Sequence, residues 1–506
     1  IDFVMNHSST QHPWFQASGS GDSEFRDFYR WQSSNPNQTG PWGQNVWHSD
    51  GSDFYYGLFW SGMPDLNYNT PAVKDSMFDA ASFWLEEIGV DGFRLDAVLY
   101  LDEDGDKLKN TPENFDFWQD FNRHVKSVKP DAFSVGEAWD ETPIVKKYVT
   151  NDRLDFAFEF DLAQTIWSNV AGGNAGTILS KAQQVYETFP RNQVGTFLTN
   201  HDQNRVIDEL NGNIGQNKAA AATYLTLPGI PFLYYGEEIG MSGTKPDRDI
   251  RRPMQWSGET NAGFTSASQP WHDFNDNFQS FNVEDAQADS ASLFNLYRRI
   301  IDLRNDHKEL QIGALHSTLA NNVSVLSYIR SNGQSSKLII TNLSEEAVED
   351  ISIYPGSKSF VISGNNPTDI ITGNTIEAAS GAANSTILEE LSLKSYQTII
   401  LDIEQQTGVS NEEANNTLPR DIELKQNYPN PFNPSTTIQF QLNNARNVRL
   451  DIYNPIGQHV KTLVDKRMLA GNHQVSFEAD NLSSGVFFYR LTAGNRQVTK
   501  KMVLIK

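Results

Sequence analysis

The stretch 69–98, NTPAVKDSMFDAASFWLEEIGVDGFRLDAV, decides the fold. Its first part has the marks of an amphipathic helix. Asn69 or Thr70 supplies an N-cap, Pro71 falls in the first turn, Val73, Met77, Trp84, Leu85 and Ile88 share a face, and Gly89 is the stop. The second part, VDGFRLDAV, reads as a short strand on which Arg94 and Asp96, two residues apart, point the same way. A helix thus leads into a strand that ends in a cation and an acid.

The same alternation runs outward from this point. NFDFWQDFNRHVKSVKP is a helix closed by Pro130 and followed by the strand AFSVGEAW. LDFAFEF, VGTFLTNHD and GIPFLYYGEE read as further strands, with helical stretches near 176–188 and 217–227 and a last helix at SLFNLYRRIIDLRND. IDFVMNH, residues 1–7, is a strand of the same kind. Such alternation predicts an α/β fold with a parallel sheet and right-handed crossovers. These strands number six where a (β/α)8 barrel needs eight. Residues 1–306 are therefore expected to form a TIM barrel lacking its first two βα units, and this polypeptide alone is expected to be poorly stable and weakly active or inactive. The Trp-, Gly- and Asn-rich residues 8–62 are far longer than one connection requires and predict a small inserted domain after strand 3.

Beyond residue 306 short strands with turn signals take over. Residues 307–403 predict an all-β sandwich, 404–419 a polar linker, and 420–506 a second all-β sandwich built from IQFQL, VRLDIYN, GVFFYRLTAG and KKMVLIK. Charge divides along the same lines. The chain carries a net charge of −23, yet residues 420–506 hold 12 Lys and Arg against 6 Asp and Glu, leaving 28 against 57 upstream. So acidic a body repels nucleic acid and anionic membranes, and no apolar run approaches a bilayer span. Cysteine is absent, which excludes disulfides and thiolate metal sites. Eleven Trp and 17 Tyr suit a neutral substrate that stacks, such as a sugar.

In a barrel, groups at the C-terminal ends of strands converge on one site. Here these are Asp2, Asn6 and His7, then Arg94 and Asp96, then Glu137, then His201 and Asp202. Three carboxylates and an arginine in one pocket predict glycoside chemistry, where one carboxylate attacks and another delivers a proton. Asp96 beside Arg94 suits the first task. Glu137, with less countercharge in its own strand, suits the second.

DFVMNH, GFRLDAV, GEAW and FLTNHD resemble, in order, the signature regions of the α-amylase family of glycoside hydrolases. MPDLN at 63–67 resembles the fifth region in the form of members intermediate between oligo-1,6-glucosidases and neopullulanases, and YYGEEIGM and RRPMQW resemble later barrel loops. The resemblance implies Asp96 as nucleophile, Glu137 as general acid/base and Asp202 as transition-state stabiliser, with His7, Arg94 and His201 holding the sugar. It implies a retaining hydrolase of α-1,4-glucans such as starch and maltodextrins. An exo-acting α-glucosidase, an oligo-1,6-glucosidase or a transglycosylase shares every one of these residues. A non-catalytic glucan-binding protein is the rival from another class, set against by the presence of all three acids.

Trp139, Tyr100 and Trp60 are candidates for stacking on sugar. Asn6 matches a family calcium (Ca2+) ligand, while its own setting equally suits hydrogen bonds that hold the inserted domain. LDEDGD at 101–106 has the look of a calcium loop, lacks the downstream Glu of an EF-hand, and reads as a solvated acidic turn. No organic cofactor is expected. LKQNYPNPFNPSTTIQFQL, with the strands that follow it, resembles the C-terminal sorting domain of type IX secretion substrates. That implies export across the outer membrane of a Bacteroidetes-like bacterium, with the secretion machinery as a partner.

Overall fold

In the computed structural model the chain is described at all residues except 191, 357–359, 363–366, 381–385, 406–421, 428, 443–444, 455–458, 470, 480–481, 494–495 and 505–506. It divides into two compact units, Ile1–Gln406 and Thr407–Lys506. No helix among the described residues is long and apolar enough to cross a membrane.

The heart of the first unit is a parallel sheet of Asp2–Phe3, Gly92–Leu95, Phe133–Gly136, Phe156–Phe158, Val194–Thr196 and Ile230–Pro231, neighbours in space as in sequence. Its register pairs Asp2 with Arg94, Arg94 with Val135, Ala157 with Val194 and Gly195 with Ile230. Gly92 shows why side-chain size is restricted there: a Cβ at this position would lie 2.0 Å from the Phe133 carbonyl oxygen.

Helices cover the outer face. Pro71–Phe83 buries Val73, Met77 and Ala81, then widens into a π turn, Trp84–Ile88, and stops at Gly89 with φ 80°. The wider turn rotates the last residue of the expected apolar face, so Leu85 is buried while Ile88 is exposed. Pro112–Val128 begins on a side-chain cap, the Thr111 hydroxyl accepting from the Asn114 amide at 3.1 Å, and buries Phe117, Trp118, Phe121 and Val125. A helix at Phe160–Ala171, absent from the expected pattern, follows the fourth strand of the sheet almost without a break.

Residues 8–62 form a short helix, Pro13–Gly19, and a small antiparallel sheet of Trp31–Gln32, Trp47–Asp50 and Asp53–Tyr56. Beyond the barrel, eight strands between Ala314 and Gln405 make one antiparallel sheet that folds on itself. Strand Ala314–Ala320 belongs to both halves: its first residues pair with Val325–Ser331 and its last with Val348–Pro355. Its packing against the barrel helices is polar at the centre. Arg330 of strand Val325–Ser331, buried, donates to the Thr226 carbonyl, and the Tyr328 hydroxyl bonds Thr226 at 2.6 Å.

The second unit contains a three-stranded sheet (Ile422–Leu424, Ser435–Leu442, Gly471–Glu478) and a four-stranded one (Arg446–Tyr453, His459–Met468, Gly485–Ala493, Arg496–Leu504). Ile438, Phe440, Leu450, Ile452, Tyr489, Leu491 and Met502 fill its core. The Pro-rich entry is tied to that core through Tyr489, whose hydroxyl accepts from the Asn427 amide at 2.8 Å and donates to the Lys425 carbonyl at 2.8 Å. Most of the expected linker lies outside the described residues.

Candidate active site

The strand that delivers Arg94 ends at Leu95, and two residues later Ala97 takes the left-handed conformation with φ 50°. For a residue with a Cβ that conformation costs roughly 1–2 kcal/mol and is held only where the surroundings enforce it. They do so here from the neighbouring helix. Trp118 donates its indole N–H to the Val98 carbonyl at 2.8 Å, and the Asn114 amide donates to Val98 at 2.9 Å and Leu99 at 3.1 Å. The next strand is locked to the same turn, the Glu137 amide donating to Leu95 at 2.9 Å and Val98 to the Glu137 carbonyl at 3.3 Å. Asp96 and Glu137 are thereby fixed relative to one another by backbone.

One cation serves three acids. Arg94 Nη1 donates to Asp2 at 2.9 Å and Asp96 at 2.6 Å, and Nη2 donates to Glu137 at 2.5 Å. Burial pushes the Glu137 carboxyl up to about 7; Arg94 pulls it down, and the negative charges of Asp96 and Asp202 raise it again. A guanidinium 2.5 Å away would ordinarily hold a carboxyl low. Divided among three acids and set against burial, its charge does not suffice. Glu137 therefore carries its proton for much of the time near neutrality.

His201 and Asp202 stand at the end of the fifth strand of the sheet. His201 Nε2 lies 3.1 Å from one Asp202 oxygen, and Arg251 donates to the other at 2.7 Å while its Nε bonds the His201 carbonyl at 2.8 Å. Arg251, the first residue of an RRPMQW loop noted only for its resemblance, is thus part of the site. His7 is carried in by the first strand and fixed by MPDLN: the Leu66 amide donates to the Asn6 carbonyl at 2.9 Å and Ser8 to Pro64 at 3.0 Å. Burial lowers the His7 imidazole, opposed by the charge of Asp96, so His7 is neutral at pH 7. Together Arg94, His201, Phe158, Phe197 and Tyr234 line a cavity of about 270 Å³.

Of the expected stacking residues, Trp139 is 52% exposed and lies flat on Phe160 at 4.4 Å and 12°, one face free. Trp60 is also exposed. Tyr100 is not available in this way: it is 8% exposed, covered by Phe59 and Trp42. The open ring on that wall is Trp42, 60% exposed and stacked on Phe59 at 5.6 Å.

Ca2+ takes six to eight oxygens, amide and backbone carbonyls among them; the described residues contain no cluster of three His, Cys, Asp or Glu able to hold a metal, while Asn6 Oδ1, Asp65 Oδ2 and Glu103 Oε1 are buried without a hydrogen-bond partner among those residues. LDEDGD is solvated as expected at Asp104, Gly105 and Asp106, which are exposed, but not in its first half. Glu103 is buried and Asp102 nearly so, and Arg30 from the inserted domain pairs with Glu103 at 2.6 Å and Asp102 at 3.5 Å. Arg30 is the cation beside these acids, and burial raises the carboxyls of Asp65 and Glu103. Chelation with EDTA is accordingly expected to leave the melting temperature of the full-length protein unchanged, whereas Arg30→Ala should lower it. A fall of several degrees with EDTA, reversed by Ca2+, would contradict this.

Comparison with known proteins agrees with this geometry. Residues 1–313 match the α-amylase catalytic domain and residues 426–506 the secretion system C-terminal sorting domain. The chain is 36% identical to α-amylase 3 of Dictyoglomus thermophilum over 334 residues, covering 65% of this chain and 64% of that protein. It is 34% identical to the trehalose synthase/amylase TreS of Mycobacterium tuberculosis over 384 residues, again 65% of this chain and 64% of the relative. It thus spans just under two thirds of the length of these curated relatives. The crystal structure of an α-amylase from H. orenii superposes with a TM-score of 0.67 at 33% identity, covering 80% of each chain.

Proposed function

Since this chain belongs to the α-amylase family of glycoside hydrolases, we propose that it provides the catalytic groups of a retaining hydrolase of α-1,4-glucosidic bonds in starch, maltodextrins and related α-glucans. The observation that carries this reading is the single guanidinium of Arg94 joined to Asp96 and Glu137, with Glu137 pushed up to about 7. A carboxyl able to keep its proton near neutrality, held beside a second carboxyl on one guanidinium, is what double displacement at an anomeric carbon requires.

In the first step Glu137 gives its proton to the glycosidic oxygen while Asp96 attacks the anomeric carbon. The C–O bond to the leaving sugar breaks as the ester to Asp96 forms. Glu137, now ionised, takes a proton from the water that opens the ester, and both groups return to their starting states. Asp202, oriented by His201 and Arg251, bonds sugar hydroxyls more strongly as the ring flattens. Neutral His7 is a hydrogen-bond donor rather than a competing charge, and Trp139 offers its free face to a sugar ring.

A transglycosylating outcome is the second reading. It uses the same carboxyls and is favoured by the likeness to a trehalose synthase/amylase. Maltoheptaose blocked at its non-reducing end separates the possibilities in the full-length protein. Internal fragments are expected; absence of cleavage would contradict endo action, and products longer than the substrate would establish transfer.

The match of residues 426–506 to a sorting domain supports export by type IX machinery across an outer membrane, to the cell surface or the medium. A strongly acidic catalytic body with a polysaccharide substrate is consistent with work outside the cell.

A further inference from the structure

Beside the catalytic cavity lies a second concavity of about 500 Å³, with Tyr235, Trp256, Phe264 and Trp271 on its walls and Arg251 and Glu238 at its polar edge. Phe264 is 43% exposed, Trp256 50% and Trp271 62%. Large rings left open together in a concave surface mark a binding site more often than chance exposure does.

These rings are not loosely hung. The Trp256 amide donates to the Ala262 carbonyl at 2.8 Å and its carbonyl accepts from Glu284 at 3.1 Å. The preceding Gln255 is buried, accepting from Asn275 at 3.0 Å. The turn that presents Phe264 is closed by the Asn261 carbonyl at 2.8 Å. The Tyr235 hydroxyl donates to Arg252 at 2.6 Å, and its ring lies 4.8 Å from the Arg205 guanidinium. The backbone is committed before any ligand arrives.

The chemistry of the lining selects the occupant. Arg251 is engaged by Asp202 at 2.7 Å and Asp247 at 3.1 Å, so it offers little to an anion. Glu238, half-buried, supplies the one carboxyl of the lining. Aromatic faces with an isolated carboxyl fit a neutral polyhydroxylated ring, apolar on its faces and hydroxylated at its rim. Arg251, on the wall of this cavity, bonds the His201 carbonyl and Asp202, and Tyr235 follows Tyr234, so the cavity adjoins the one lined by His201 and Tyr234.

We propose that this aromatic concavity is a subsite for further glucosyl residues of an α-glucan chain whose scissile bond lies at Asp96 and Glu137. It rests on the glycoside hydrolase reading above and extends it from bond type to chain length. Substrates long enough to reach the rings gain affinity that a disaccharide does not.

Calorimetric titration of the full-length protein with maltose and with maltoheptaose tests this, in an Asp96→Asn background that prevents turnover. Trp271→Ala is expected to raise the maltoheptaose Kd about tenfold relative to the maltose Kd, and Phe264→Ala to act in the same direction. Both rings are exposed, so the fold should survive; circular dichroism checks it. An unchanged ratio of the two Kd values in both variants would overturn the subsite. Hydrolysis of p-nitrophenyl α-glucoside by the unaltered enzyme reports on the underlying activity separately: its absence would tell against the hydrolase while the titration still decides whether the rings bind a glucan.

Discussion

A Glu137→Gln variant of the full-length protein is expected to hydrolyse starch about 10²–10⁴-fold more slowly and to lose the alkaline limb of its pH profile. The acid must hold a proton, and the Glu137 carboxyl is pushed up to about 7, so activity in the unaltered enzyme should fall as pH rises through that value. Glutamine cannot transfer a proton in this way. The defect should shrink on p-nitrophenyl α-glucoside, whose leaving group departs without protonation; an equal loss on both substrates would contradict the role. Stability should move the other way. A carboxyl whose folded value lies above its unfolded one destabilises the fold once pH exceeds the unfolded value, and most fully above the folded one. The variant removes that penalty, while its carbonyl still accepts from Arg94. Its melting temperature is therefore expected to rise at pH 7–8 and to be little changed below pH 4.

The second large effect belongs to Arg94. Replacement by Ala strips the shared cation from Asp2, Asp96 and Glu137, whose bonds to it measure 2.9, 2.6 and 2.5 Å. Breaking a buried pair while leaving its acids in place costs about 3–5 kcal/mol, measurable as a reduced denaturant midpoint. The loss of an oriented electrostatic group should lower kcat about 10²–10³-fold. Without its attracting charge the Glu137 carboxyl rises further, so the alkaline limb of the remaining activity should move to higher pH. Lys at this position keeps the charge without the planar fork and cannot reach three carboxylates at once. It is expected to rescue stability more than activity. Full activity in Arg94→Lys would show that charge alone suffices.

Much of this site was legible because barrel geometry converts distance along the chain into proximity. Asp96, Glu137 and Asp202 each follow a recognisable strand, and the ends of successive parallel strands must meet. What local pattern could not carry was pairing between remote loops. Arg251 joins Asp202 across 49 residues from the end of a one-turn helix, Asp247–Ile250, and Arg30 reaches Asp102 and Glu103 across 72 and 73 residues, burying the first half of an acidic turn. Periodicity failed where the helix itself departs from 3.6 residues per turn, at the π turn that exposes Ile88. The helix Phe160–Ala171 escaped notice because Glu159 makes no capping bond and the aromatic run LDFAFEF continues into it. In the second unit His459–Met468 is rich in charge, so its alternation is weak, and only pairing along Arg446–Tyr453 reveals it as a strand.

The central claim is that Asp96 carries the sugar between the two steps. Incubating the full-length protein with 5-fluoro-α-D-glucosyl fluoride, which slows opening of the ester, and mapping the adduct by peptide mass spectrometry tests it most directly. A fluoroglucosyl group on the peptide containing Asp96, absent in Asp96→Asn, is the predicted result. A label on another carboxylate, or turnover with inversion at the anomeric carbon and no adduct, would contradict it.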